Sequence, residues 1–185
     1  MKFLNIDPKI VYRWDYLKFL SVANNVHVQK IVEVGTWDGK NAKKLRKLFP
    51  DARLYLIDPY QPTPAYLQNG NPISLNPEVY ENTYKKICKH FENDPKTTLL
   101  KTTSTKGVNL VPSDIDLVFI DGDHSYEHVK QDILIWKPKV RVGGLLTGHD
   151  YSLFFPDVMK AVNECLPNKF VVGKDSVWAV ITSDV

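Results

Sequence analysis

The stretch "KFVVGKDSVWAVI", Lys169 to Ile181, decides what kind of sheet this chain builds. "KFVVG" and "VWAVI" are short runs rich in β-branched and aromatic residues, the composition of strands. Only about four residues, "KDSV", join them. A parallel pair needs a crossover of roughly a dozen residues or more. The last two strands must therefore form an antiparallel hairpin.

Upstream of the hairpin the pattern alternates. "KIVEVG" reads as a buried strand stopped by Gly35. "NAKKLRKLF" follows as a helix with Ala42, Leu45, Leu48 and Phe49 on one face, closed by Pro50. "RLYLID" is a second strand. Tyr80, Tyr84, Ile87, Cys88 and Phe91 mark a helix, and "TTLLKT" and "IDLVFI" are strands three and four. A helix from about Ser125 turns Val129, Ile133 and Trp136 inward. "GGLLTGH" is strand five, and Val158, Val162, Cys165 and Leu166 mark a further helix. Asp7 as a cap, Pro8 in the first turn, and Ile10, Trp14, Leu17 and Leu20 at helical spacing predict a helical segment within residues 1–27. Strands alternating with helices specify an α/β fold, a mostly parallel seven-stranded sheet covered on both faces. The expected organisation is one domain over residues 1–185. Residues 59–78 interrupt the rhythm with Pro59, Pro62, Pro64, Pro72, Pro77 and Gly70. A loop that long is expected to act as a lid.

Composition narrows the class. Of 185 residues, 43% are hydrophobic and 24% charged, as in ordinary globular chains. The net charge of +3 is mild and the lysines are scattered, so no nucleic-acid partner is expected. No apolar run nears the roughly 20 residues a membrane span needs. "MKFLNIDPKIVYRW" holds no signal-peptide core. Cys88 and Cys165, far apart and on helices, are expected to be buried reduced thiols. The expected compartment is the cytoplasm.

In such sheets ligands sit beyond the carboxyl ends of the strands. After strand one, "EVGTWDGKN" brackets a turn with Gly35 and Gly39, but Trp37 stands where a dinucleotide loop wants its middle glycine. Glu33 can hold a ligand's ammonium group, or simply face solvent. Asp58 ends strand two, where an acid can accept hydrogen bonds from both ribose hydroxyls, or merely start a turn. Strand four runs into "FIDGDHSYEHV", which crowds Asp121, Asp123, His124, Glu127 and His128 together.

"EVGTWDG", "LIDPY", "FIDGDHSYEHV" and "GGLLTGHDY" resemble the motifs of the class I S-adenosylmethionine-dependent methyltransferases, most closely the branch called methyltransferase family 24. The chain is also similar to metal-dependent O-methyltransferases acting on catechols, caffeoyl-CoA and macrolide or aminocoumarin sugars. The resemblance spans residues 28 to 183 and implies a Rossmann-like sheet of order 3-2-1-4-5-7-6 with strand seven antiparallel. It places Gly35, Thr36 and Gly39 around the cofactor's methionine part, Glu33 at its amino group, Asp58 at its ribose, and Ser104 near its adenine. Asp121 falls on the cofactor or metal side. The positions matching the relatives' ligands for one divalent cation are Asp121, His149 and Asp150. An aspartate is commoner where His149 stands. Magnesium prefers oxygen ligands, whereas imidazole suits manganese, iron or zinc. A softer metal, Asp150 binding alone from that turn, and no metal all remain open.

Asp123 matches the general base of some sugar O-methyltransferases, with His124 as its rival. A hydroxyl is a poor nucleophile until its proton is removed or a cation stabilises the alkoxide. His124 and His128, four apart, have a spacing that binds zinc; more simply, His128 and Glu127 begin a helix. Tyr60, Tyr66, Tyr151, Phe154 and Phe155 are candidates to line a small-molecule acceptor site, although Phe154 and Phe155 also suit packing of the next helix. The leading expectation is O-methylation of a small oxygen-rich acceptor. A cofactor-binding relative without catalysis and an NAD-type oxidoreductase are the rivals. The composition leaves a homo-oligomer open.

Overall fold

A computed structural model of the chain describes residues 10–62, 76–167 and 169–183. The Asp7–Pro8 helix start and the middle of the proline-rich stretch, Tyr66 included, lie outside the described residues. In chain order the elements are α1 (Arg13–Ala23), β1 (Lys30–Val34), α2 (Lys40–Leu48), β2 (Arg53–Asp58), α3 (Pro77–Phe91), β3 (Thr97–Lys101), α4 (Ser104–Gly107), β4 (Ile115–Ile120), α5 (Tyr126–Trp136), β5 (Val140–Gly148), α6 (Pro156–Cys165), β6 (Val171–Val172) and β7 (Trp178–Ile181).

The strands form one sheet in the order β3-β2-β1-β4-β5-β7-β6. β1 to β5 pair in parallel, and β7 runs antiparallel to both neighbours. The short "KDSV" connection dictates that reversal, as the spacing predicts. β6 pairs at only two residues, shorter than "KFVVG" suggests, which suits an edge strand. β5 starts at Val140, earlier than expected. Its register against β4 shifts between Ile115, opposite Val140, and Leu117, opposite Leu145, and Gly143 with φ +73° lies within that bulge.

β4 is buried at all six positions. Its alternate side chains feed two cores. Leu117 and Phe119 join Leu17 and Leu20 of α1, Leu45 of α2 and Ile87 of α3 on one face. Val118 and Ile120 join Ile133 and Trp136 of α5 and Val158 and Val162 of α6 on the other. Pairing β1 with both β2 and β4 sends the chain outward in opposite directions, so the turns after β1 and β4 open a cleft between them. Local signals start the helices: Asn76 caps α3 by accepting from Glu78 N at 3.0 Å, and Pro77 and Pro156 occupy first-turn positions. Cys88 and Cys165 are free and half-buried rather than fully buried, because each sits at the margin of its helix's apolar face. No helix among the described residues is long and apolar enough to cross a membrane.

Candidate active site

A cleft of about 940 Å³ opens at the carboxyl ends of β1, β2 and β4, within the range of small-molecule sites. The turn after β1 forms its floor. Gly35 has φ +88°, and a Cβ there would lie 2.0 Å from the Asp121 carbonyl oxygen. The glycine thus lets the β1 turn touch the β4 turn, a close approach of two backbones. Trp37 N donates to Asp58 Oδ2 at 2.8 Å and Tyr60 N to Asp58 Oδ1 at 2.7 Å, so Asp58 ties the β1 and β2 turns together. Burial raises the Asp58 pKa, against the pull of those backbone donors.

Glu33 is 1% exposed and lines the cleft. Asn41 Nδ2 donates to its Oε1 at 3.2 Å, while Oε2 has no hydrogen-bond partner. Burial lifts its pKa well above the ordinary value; the Asn41 hydrogen bond opposes this, and the charges of Asp121 and Asp58 reinforce it. The buried Thr36 hydroxyl is also without a partner. Both orphaned groups fit a polar ligand such as the methionine end of S-adenosylmethionine. Ser104 starts the short α4 and accepts from Trp136 Nε1 at 2.8 Å. It lines the cleft with Thr103, Thr105 and Asp132.

The turns after β4 and β5 meet. Single ligand atoms of Asp121, His124 and Asp150 lie within 4.8 Å of one another. His124 Nε2 is 2.9 Å from Asp150 Oδ2 and 4.0 Å from Asp121 Oδ1. His149 flanks the group, its Nδ1 2.8 Å from Asp150 Oδ1 and 3.6 Å from Asp121 Oδ1, yet neither ring nitrogen makes an aligned hydrogen bond. The structure thus gathers the three expected ligand positions and inserts His124 among them. One nitrogen and two carboxylate donors suit manganese, iron or zinc, so the group fits a divalent cation. Burial lowers the His124 pKa, but Asp121 and Asp150 overcome it and push it up to about 9. His149 is likewise raised, its burial outweighed by the same carboxylates. Asp150 is held below the usual carboxylate range: burial raises it, and the two histidines more than offset that.

Asp123 Oδ1 accepts from Ser125 N at 2.8 Å at the start of α5. His128 Nδ1 bonds to Ser125 Oγ at 2.8 Å and lies 3.7 Å from Asp123, while His124 engages Asp150. Glu127 occupies the first turn of α5. The expected aromatic wall is built differently. Tyr60 is buried against Tyr84, Tyr151 bonds to Asn163, Phe155 packs on His124 and Phe154 is 90% exposed. Tyr12, Trp14, Trp37 and Tyr80 line the cleft instead.

Three residues escaped sequence reading. Arg13, opening α1, places Nη1 2.5 Å from Asp121 Oδ2 and Nε 3.1 Å from Asp175 Oδ2. Asp175 lay unnoticed in the "KDSV" turn. Neither carried a local signal, because only the tertiary fold joins them. Asp132 did carry one: it sits with Val129, Ile133 and Trp136 on the buried face of α5, a charge within an apolar stripe.

A family model described as a methyltransferase domain, methyltransferase family 24, matches residues 32–151. The chain belongs to this family. The match runs from β1 to the turn after β5 and so includes Glu33, Asp58, Asp121 and Asp150, while Arg13 and Asp175 lie outside it. Among curated proteins, an uncharacterized protein of Acanthamoeba polyphaga mimivirus is 27% identical over 135 residues, 72% of this chain. The family 24 chain spans only 57% of that relative's length. Among solved structures, the O-methyltransferase NovP aligns with a TM-score of 0.68 at 19% identity, covering 93% of this chain and 80% of that one. A SAM-dependent O-methyltransferase from Thermotoga maritima gives 0.60 at 12% identity over 95% and 67%. An rRNA methylase from Streptococcus thermophilus gives 0.64 at 12% identity over 95% and 99%. Likeness at such identities is one of fold, the Rossmann-like methyltransferase fold that the sheet order displays.

Proposed function

We propose that this family 24 domain transfers a methyl group from S-adenosylmethionine to a hydroxyl of a small, oxygen-rich acceptor, assisted by a divalent cation. The observation that carries the reading is Glu33, a cleft-lining residue whose buried Oε2 has no hydrogen-bond partner. Burying a charge without compensation is costly. An amino-acid ammonium entering the cleft supplies what is missing. Asp58, still holding lone pairs beyond its two backbone bonds, receives the ribose hydroxyls. Ser104 and its neighbours wall the adenine end, and Thr36 adds a hydroxyl beside the methionine part.

The cofactor, when bound, supplies an electrophilic methyl group on sulfonium. The protein's main contribution is to hold donor and acceptor in line at near-attack distance. Asp121, His124 and Asp150 would hold the cation, whose chemistry is to stabilise the acceptor's developing alkoxide. Because His124 would serve the cation, the general-base role is assigned to Asp123, which also lines the cleft. The mild +3 charge favours a small acceptor over RNA.

Calorimetric titration with S-adenosylhomocysteine and with NAD tests the reading. The expected outcome is saturable heat with S-adenosylhomocysteine and much weaker or no binding of NAD. Tighter binding of NAD would overturn it.

A further inference from the structure

The candidate cation group already has a cation against it. Arg13 Nη1 lies 2.5 Å from Asp121 Oδ2, the oxygen turned away from His124 and His149. Two further contacts pin the same residue: Nε at 3.1 Å and the backbone N at 3.0 Å, both to Asp175 Oδ2. Asp175 is held at φ +55°, a left-handed conformation that a non-glycine residue adopts only when its surroundings impose it. The hairpin turn and the first turn of α1 are thus locked together over the carboxylate that ends β4. The Arg13 and Asp121 side chains are 26% and 17% exposed, so water screens the pair only partly.

A guanidinium keeps its charge at every working pH. A divalent ion bound by Asp121, His124 and Asp150 would share Asp121 with that fixed charge at close range, where like charges repel strongly. We infer that Arg13 is a tethered cation standing in for metal at Asp121, and that a divalent ion binds tightly only once Arg13 is released. The inference rests on the proposed cation site. Arg13 and Asp175 both lie outside the family-matched residues 32–151. Release of Arg13 also frees Asp175 and the start of α1, which carries the cleft-lining Tyr12 and Trp14.

The test is Mn²⁺ binding to the full chain, read by the loss of the free-ion paramagnetic resonance signal, with S-adenosylhomocysteine affinity measured alongside. Arg13→Gln is expected to bind Mn²⁺ at least tenfold more tightly than the unaltered protein. Arg13→Lys keeps the charge and should remain close to the unaltered protein. Asp175→Asn loosens the tether without touching the donor set and should give a smaller gain. Adding Asp121→Asn to Arg13→Gln should erase the gain. Equal or weaker Mn²⁺ binding by Arg13→Gln, an Arg13→Lys protein that behaves like Arg13→Gln, or no Mn²⁺ binding by any of the proteins would overturn the inference. Loss of S-adenosylhomocysteine binding in the unaltered protein would instead overturn the cofactor reading, so the two failures are distinguishable.

Discussion

Asp116 and Glu33 are both buried carboxylates, on adjacent parallel strands, at opposite ends of the sheet. Asp116, near the start of β4, is 5% exposed and fully occupied. Gln29 N and Lys30 N each donate to its Oδ2 at 2.8 Å, and Arg141 Nε donates to its Oδ1 at 2.5 Å. Glu33, near the end of β1, is 1% exposed and has one hydrogen bond from Asn41. Burial costs both groups their hydration, and only Asp116 has the full set of donors that offsets that cost. One end of the sheet is therefore fully paired, and the other is left open at the cleft.

Asp116→Ala should produce the largest effect. It strands two backbone N–H groups and Arg141, and stability should fall by about 3–5 kcal/mol in denaturant titration. S-adenosylhomocysteine affinity should stay unchanged in the folded protein. A loss of affinity without a loss of stability would break the contrast between the two ends.

Asp132 extends the contrast to a second carboxylate at the open end. Burial raises its pKa from 3.8 to about 6, against the opposing effects of Ser104 and His128. The unfolded chain therefore releases this proton at lower pH than the folded one. Stability from Asp132 is complete below about pH 4 and is lost as pH rises through about 6, a swing of roughly 3 kcal/mol. Asp132→Asn removes that loss. Thermal unfolding of both proteins from pH 4 to 7 should show the variant gaining on the wild type as pH rises. Parallel pH profiles would contradict the raised pKa of Asp132.

How much of this was legible in the sequence differs between fold and site. A four-residue connection cannot join parallel strands, so "KDSV" alone fixed the direction of β7, and the run of strand and helix patterns yielded the sheet. Glu33, Asp58 and Asp121 stood out because charges seldom end buried strands. The Arg13–Asp121–Asp175 contact was not legible, because it joins residues 162 positions apart through three elements whose local patterns say nothing of one another. The place of His124 beside Asp121 and Asp150 in the candidate cation group was hidden for a similar reason. Which imidazole reaches Asp121 and Asp150 depends on how the β4 and β5 turns pack, and Phe155 beneath the His124 ring helps set that.

The most direct measurement is a calorimetric titration of S-adenosylhomocysteine into the wild type and Glu33→Gln. If the unpartnered carboxylate holds the ligand's ammonium group, the folded variant should bind about 10- to 100-fold more weakly, the scale of a hydrogen bond to a charged group. Equal affinity in the two proteins would contradict the central claim that Glu33 is buried unpaired in order to bind the cofactor.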